Sequence, residues 1–135
     1  MTARILLIED NPDNLRLMEY LLRTFGYKVL EAKGGAEGLE AAASEKPDLI
    51  LCDINMPKVD GYEVAKRIRA DEEMRRIPLV AVTAYAMVGD RDQILARGFD
   101  GYIPKPIDPT VFVNQIEEFL APAKRSNAMP AYKRI

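Results

Sequence analysis

No histidine occurs among the 135 residues, and there is a single cysteine. The first absence removes any mechanism that needs an imidazole of its own, the Ser-His and Cys-His nucleophile pairs included. The second excludes an internal disulfide and a thiolate metal cluster. Cys52 lies inside an apolar run and reads as a small buried side chain in a reducing compartment. No apolar stretch is long enough to span a bilayer, and Met1-Thr2-Ala3-Arg4 before a short apolar run does not make a signal peptide, so the expected location is the cytoplasm. A basic surplus is also missing. The 21 acidic residues against 19 basic ones leave a net charge of -2, which disfavours nucleic acid as a partner. Gly34-Gly35 has neither G-x-G-x-x-G spacing nor a following Lys-Ser/Thr, and reads as a turn rather than a phosphate-cradling loop.

What is present is ordinary globular composition, 48% hydrophobic and 30% charged, at a length suited to one domain. The most informative stretch is Leu49-Ile50-Leu51-Cys52-Asp53-Ile54-Asn55-Met56-Pro57. Its apolar part is too short and too evenly apolar for a helical stripe, and reads as a strand buried on both faces with one carboxylate at its carboxyl end. In open parallel sheets ligands bind beyond those ends, although an Asp there also serves as a turn cap, and the stretch alone favours neither.

The remainder repeats the plan. Ile5-Leu6-Leu7-Ile8 ends in Glu9-Asp10, then Asn11 and Pro12 suit a helix cap and first turn, and Leu15, Met18, Leu22 and Phe25 follow at helical spacing up to Gly26. Tyr27 to Leu30 is a second strand, leading into an Ala-rich helix that Pro47 closes off. Asp60-Gly61-Tyr62-Glu63 has capping-box spacing before a stripe of Val64 and Ile68. Pro78 to Val82 forms a fourth strand ending in Thr83-Ala84, and a helix from about Met87 to Ala96 has few apolar anchors and should be loosely held. Tyr102-Ile103-Pro104 is the last strand, with Lys105-Pro106 at its end. Asp108-Pro109 then caps a helix with Phe112, Ile116, Phe119 and Leu120 on one face. The expected folded domain is 1–121, and 122–135, with Lys124, Arg125, Lys133 and Arg134, reads as a flexible basic tail.

Five strand-then-helix units with short connections imply an α/β fold, a doubly wound five-stranded parallel sheet with five helices. The missing Gly-rich fingerprint favours the flavodoxin-like strand order 2-1-3-4-5 over the Rossmann one. In such a sheet Glu9, Asp10, Asp53, Thr83 and Lys105 converge at one edge. Crowded carboxylates call for a hard divalent cation, and Mg²⁺ fits because it keeps waters and leaves room for phosphate oxygens. Lys105 and Thr83 suit the equatorial oxygens of a phosphoryl group, and a carboxylate forming an acyl phosphate is the economical nucleophile. Each residue alone has a blander reading: Glu9 and Asp10 as helix-start charges, Thr83 as a turn hydroxyl, Lys105 as a solvated charge, Tyr102 as packing, Met56-Pro57 and Met87 as structure. Four strand ends supplying suitable groups together is what chance rarely arranges.

Glu9-Asp10, Asp53, Thr83-Ala84 and Lys105-Pro106, in this order, resemble the signature of the receiver domain of two-component response regulators over about residues 4 to 120. The resemblance implies that Asp53 is the phosphoacceptor, charged by a sensor histidine kinase or a histidine phosphotransfer protein. It implies Mg²⁺ held by Glu9, Asp10, Asp53 and the backbone carbonyl of Asn55, with Thr83 and Lys105 on the aspartyl phosphate. It further implies a cis Lys105-Pro106 bond, and Tyr102 as the switch aromatic that moves when Thr83 does. Ile107 departs from the Phe common after Lys-Pro, a packing change. The tail is too short for an output domain, so the chain resembles a stand-alone receiver, a monomer or weak dimer. Its downstream protein target would bind the face formed by the fourth helix, last strand and last helix, and it would be no enzyme beyond its own phosphorylation and dephosphorylation. Two rivals are a Mg²⁺-dependent phosphatase or phosphotransferase, which would want an Asp where Asn55 stands, and a phosphate-independent scaffold.

Overall fold

The apolar runs become strands because they can bury both faces at once. In a computed structural model describing residues 3–84 and 88–126, with only the backbone of Val88 included, strands β3 (Leu49–Asp53) and β4 (Leu79–Thr83) are buried at every position. They sit inside a parallel sheet of order β2-β1-β3-β4-β5, where β1 is Arg4–Ile8, β2 Lys28–Ala32 and β5 Gly101–Pro104. The flavodoxin-like expectation is met. In the edge strand β5 buried residues alternate with exposed or half-buried ones, whereas β2 buries Val29 on one side of the sheet and Ala32 on the other.

Alternation along the strands divides the core. Ile5, Leu7, Leu49, Leu51, Val80, Val82 and Ile103 point to one side, where α1 (Pro12–Thr24) and α5 (Phe112–Glu117) cover them with Leu15, Met18, Leu22, Phe112 and Ile116. Leu6, Ile8, Ile50, Cys52, Leu79 and Ala81 point to the other, under α2 (Gly35–Glu45), α3 (Gly61–Ala70) and α4 (Val88–Ala96). Ile107 is buried in the α1–α5 side of the core, where an aliphatic side chain fills the space. Right-handed crossovers between neighbouring parallel strands lay these helices on both faces.

The local signals hold with amendments. Asn11 caps α1 by accepting from the N–H groups of Asp13 (2.9 Å) and Asn14 (3.1 Å), and Gly26, at φ 89°, turns the chain where α1 ends. Gly34 caps α2 and Gly35 is its first residue, so the glycine pair leads straight into the helix. Only half of the α3 capping box forms. Asp60 accepts from Glu63 N–H at 2.9 Å, but the Glu63 carboxylate turns to Arg67 at 2.8 Å, a nearer charge than the cap N–H. Asp108 does not cap α5. It takes the N–H and hydroxyl of Thr110 in a preceding turn, and the helix begins after Val111. Met87 lies outside the described residues.

Of the tail expected to be flexible, residues 122–126 are described, and these are docked on the domain. Pro122–Lys124 form a 3-10 turn, and Ala3 N–H donates to Lys124 O at 3.1 Å. The Lys124 ammonium pairs with Asp48 at 3.1 Å, and Arg125 Nε donates to Glu117 O at 2.9 Å. Ser126 is buried, its N–H donating to the Tyr27 hydroxyl at 2.8 Å, while that hydroxyl donates to the buried Glu117 carboxylate. Composition could not reveal this, because the segment is held by polar groups of α5 and of the α1–β2 turn rather than by apolar residues of its own. Lys133 and Arg134 lie outside the described residues.

Candidate functional site

Each strand delivers its polar residue at the carboxyl edge. After β1 the chain continues against β2 through Glu9 N–H to Ala32 O (3.0 Å), which turns the Glu9 side chain inward, fully buried, while Asp10 stays exposed. Asp53 closes β3 at 6% exposure, and its Oδ1 accepts from Asn55 N–H at 3.2 Å. Thr83 ends β4, fully buried. Its carbonyl accepts from Lys105 N–H at 2.8 Å, which ties the end of β4 to the residue after β5, and the Lys105–Pro106 peptide is cis.

From that position Lys105 reaches back across the sheet edge. Its Nζ lies 3.1 Å from Glu9 Oε1 and 3.4 Å from Asp53 Oδ2. Glu9, Asp10 and Asp53 offer carboxylate oxygens within 4.8 Å of one another. One lysine therefore faces a cluster of three acids. Burial first, and then the Asp53 charge, push the Glu9 carboxyl from its ordinary 4.5 up to about 7, against the pull of the Asn11 N–H and Lys105. A buried carboxyl pushed that far up marks a pocket short of positive charge. This is the deficit a divalent cation with oxygen ligands would fill, so the residues present fit Mg²⁺.

The neighbouring backbone is tightly drawn. A Cβ on Gly61 would lie 2.6 Å from both Asp53 O and Ile54 Cα, so glycine is what allows the start of α3 to close on the end of β3. Met56 is buried in the intervening loop, in keeping with a structural role. Cys52 is fully buried beside Asp53, its thiol donating to Asp53 O at 3.2 Å; burial pushes that thiol well above its ordinary range, which keeps it neutral and unreactive. Beside Asp10, a cleft of about 190 Å³ opens between α1 and β2, with Leu15, Arg16, Glu31 and Lys33 in its walls.

The structure thus brings Glu9, Asp10, Asp53 and Lys105 together, with Thr83 joined to Lys105 through the backbone and Asn55 to Asp53. Tyr102 stands apart on β5, half-buried, opposite Ala81 in register and beneath the Arg91 guanidinium at 5.8 Å. Sequence reasoning passed over Gly61, Arg91 and Arg97. Only the Asp-Gly step at the start of α3 hinted at the first, and nothing local signalled the arginines, whose partners lie on other elements.

Comparison with known proteins agrees with this geometry. The response regulator receiver domain family matches residues 5–117. The polar-differentiation response regulator DivK of Brucella ovis is 42% identical over 123 residues, covering 91% of this chain and 100% of the relative. Among solved structures, the receiver domain of a Pseudomonas aeruginosa sensor histidine kinase is 36% identical with a TM-score of 0.80, covering 88% of this chain and 98% of that one. That receiver was crystallised with a magnesium ion coordinated in its active site cleft. The Vibrio cholerae chemotaxis protein CheY4 is 26% identical with a TM-score of 0.83, over 89% of this chain and 100% of that one.

Proposed function

The chain belongs to the response regulator receiver domain family, and from that premise we propose that it is a phosphorylation-operated binding switch with Asp53 as the phosphoacceptor. The observation that carries the choice of Asp53 is the Lys105 ammonium 3.4 Å from its carboxylate, inside a cluster of three acids. Asp10 is exposed, and Glu9 is sealed in, fully buried. That leaves Asp53 as the nucleophile: one of its carboxylate oxygens bonds to the phosphorus of a donor phosphohistidine, the P–N bond breaks, and the donor imidazole leaves with its electron pair.

Glu9, Asp10, Asp53 and the Asn55 carbonyl would hold Mg²⁺, which supplies charge neutralisation to the phosphoryl oxygens when bound. Lys105 pairs with the same oxygens, and the Thr83 hydroxyl hydrogen-bonds to one of them, so the end of β4 registers the modification. Tyr102, on the same side of the sheet as Thr83, responds, and the face of α4, β5 and α5 changes its preference for a downstream protein. The donor is a sensor histidine kinase or a histidine phosphotransfer protein. The work is done in the cytoplasm by a receiver, monomeric or weakly dimeric, that turns over no substrate but its own phosphoryl group. Among the described residues no helix is long and apolar enough to cross a membrane.

Incubation with acetyl phosphate and Mg²⁺, followed by intact-mass measurement, tests the assignment. The wild-type chain should gain one base-labile phosphoryl group and Asp53→Asn none; an adduct that survives this substitution overturns the choice of Asp53.

A further inference from the structure

Arg91, Ile94 and Arg97 recur every third residue along α4 and just past its end, which places them along one side of the helix. Ile94 is fully buried, the only buried residue of α4 among those described. The two arginines meet aromatic rings on different elements: Arg97 Cζ lies 4.3 Å from the centre of the Tyr62 ring on α3, and Arg91 Cζ 5.8 Å from that of Tyr102 on β5. Tyr62 meets Phe99 edge-on, ring centroids 6.3 Å apart, which braces the α3 contact.

With Ile94 the one buried side chain described on α4, little described apolar area fixes the helix, so contacts that count for little elsewhere weigh heavily here. The Tyr102 contact differs from the Tyr62 contact in what stands behind it. Tyr102 pairs in register with Ala81, two residues before Thr83, so Tyr102 and Thr83 share a face of the sheet, and the side chain between them is a methyl group. The Arg91 guanidinium lies over that ring, its Cζ 5.8 Å from the ring centre.

We propose that Arg91 is a positioning residue for the switch, its guanidinium over the Tyr102 ring holding β5 and α4 in the resting arrangement until the pocket carries a phosphoryl group. The proposal rests on the reading of Asp53 and Tyr102 given above. A contact made in the resting state and lost in the phosphorylated one biases the equilibrium toward rest. By linkage, its removal tightens binding of anything that favours the phosphorylated state by the same factor. For a partly exposed guanidinium on a ring that factor is about two- to five-fold. Arg97 is the internal control, with the same chemistry at the same helix but no contact with Tyr102.

The test titrates the full chain with beryllium fluoride, a non-covalent phosphoryl mimic, in the presence of Mg²⁺, with binding followed by amide chemical shifts and thermal midpoints measured in parallel. Arg91→Ala should bind about two- to five-fold more tightly than wild type, Arg91→Lys should fall between them, and Arg97→Ala should match wild type. In a Tyr102→Leu background Arg91→Ala should make no difference. Equal affinities for wild type and Arg91→Ala overturn the role of Arg91 and leave the phosphoacceptor reading standing. So does an Arg91→Ala effect that persists without the ring, or one that Arg97→Ala reproduces. A wild-type chain that neither binds beryllium fluoride nor takes a phosphoryl group from acetyl phosphate overturns both.

Discussion

The ammonium of Lys105 lies 3.1 Å from the Glu9 carboxylate, joining the residue after β5 to the residue after β1 across an edge to which β3 and β4 also contribute. Glu9 is fully buried, so this contact and the Asn11 N–H at 3.2 Å are its described polar partners in a pocket shared with Asp53. The arrangement is electrostatically costly, and its costs can be measured.

The stability of the metal-free protein should fall as pH rises from about 4.5 to about 7. Glu9 is lifted from 4.5 to about 7 in the fold, so between those values the native chain binds a proton that the unfolded chain has released. The contribution is complete below the unfolded value and gone once pH passes the folded one, a difference of up to about 3 kcal/mol. Glu9→Gln should flatten the pH dependence of urea midpoints over this window in chelator-treated protein. A wild-type curve already flat there would contradict the buried, repelled state of Glu9.

On the proposed reading magnesium should stabilise the chain, because it would bind the folded cluster and not the dispersed carboxylates of the unfolded state. At ten times the dissociation constant the gain is about 1.4 kcal/mol, or about 5 °C in midpoint for a domain of this size. Asp10→Asn removes a ligand from an exposed position without disturbing packing, and should weaken the effect. Binding near pH 7 should also release protons, readable as a buffer-dependent heat in calorimetry. Equal midpoints with and without Mg²⁺ would argue against the cluster as a cation site.

Gly61→Ala should damage both fold and site. The added methyl would meet Asp53 O and Ile54 Cα at 2.6 Å, and these backbone atoms cannot move without displacing the Asp53 carboxylate. A loss of about 3 kcal/mol is expected, together with slower labelling by acetyl phosphate. Normal labelling in the folded variant would show that the approach of α3 to β3 is not needed to place Asp53.

At the opposite edge of the sheet, Tyr27→Phe should destabilise by about 1–3 kcal/mol, since the hydroxyl both donates to buried Glu117 and accepts from Ser126 N–H. Truncation after Ala121 should cost a similar amount by removing Ser126 and the Lys124–Asp48 pair. Neither change should alter phosphorylation of the folded protein, because Tyr27, Ala3 and Asp48 precede their strands whereas the acid cluster follows them. Denaturant titration and acetyl-phosphate labelling separate the two effects.

Much of this architecture can be read from local chemistry. An apolar run such as Ile5–Ile8 or Leu49–Cys52 is too short for a helical stripe and reads as a strand buried on both sides, and a polar residue that ends such a run in a parallel sheet lies at the sheet edge. Asn11-Pro12 and Gly26 bracket α1 through capping and turn preferences that need no partner elsewhere. The misses have two causes. Glu63 and Asp108 had a second polar group within a turn of the chain, and propensity cannot tell which of two nearby partners will win. Residues 122–126 look solvent-bound because Ala3, Tyr27 and Asp48, which hold them along with Glu117, are remote in sequence.

The order of residue types along the chain was enough to establish the strand–helix alternation, the parallel sheet and the identity of the polar groups at its edge, since each follows from a period or a cap only a few residues long. Folding alone decided that Glu9 is sealed while Asp10 is exposed, that Lys105 bridges Glu9 and Asp53, and that Arg91 and Arg97 lie over different rings. Those are relations between side chains tens of residues apart or on separate elements. Their distances and burial arise only when the elements pack, and electrostatic energy depends on both.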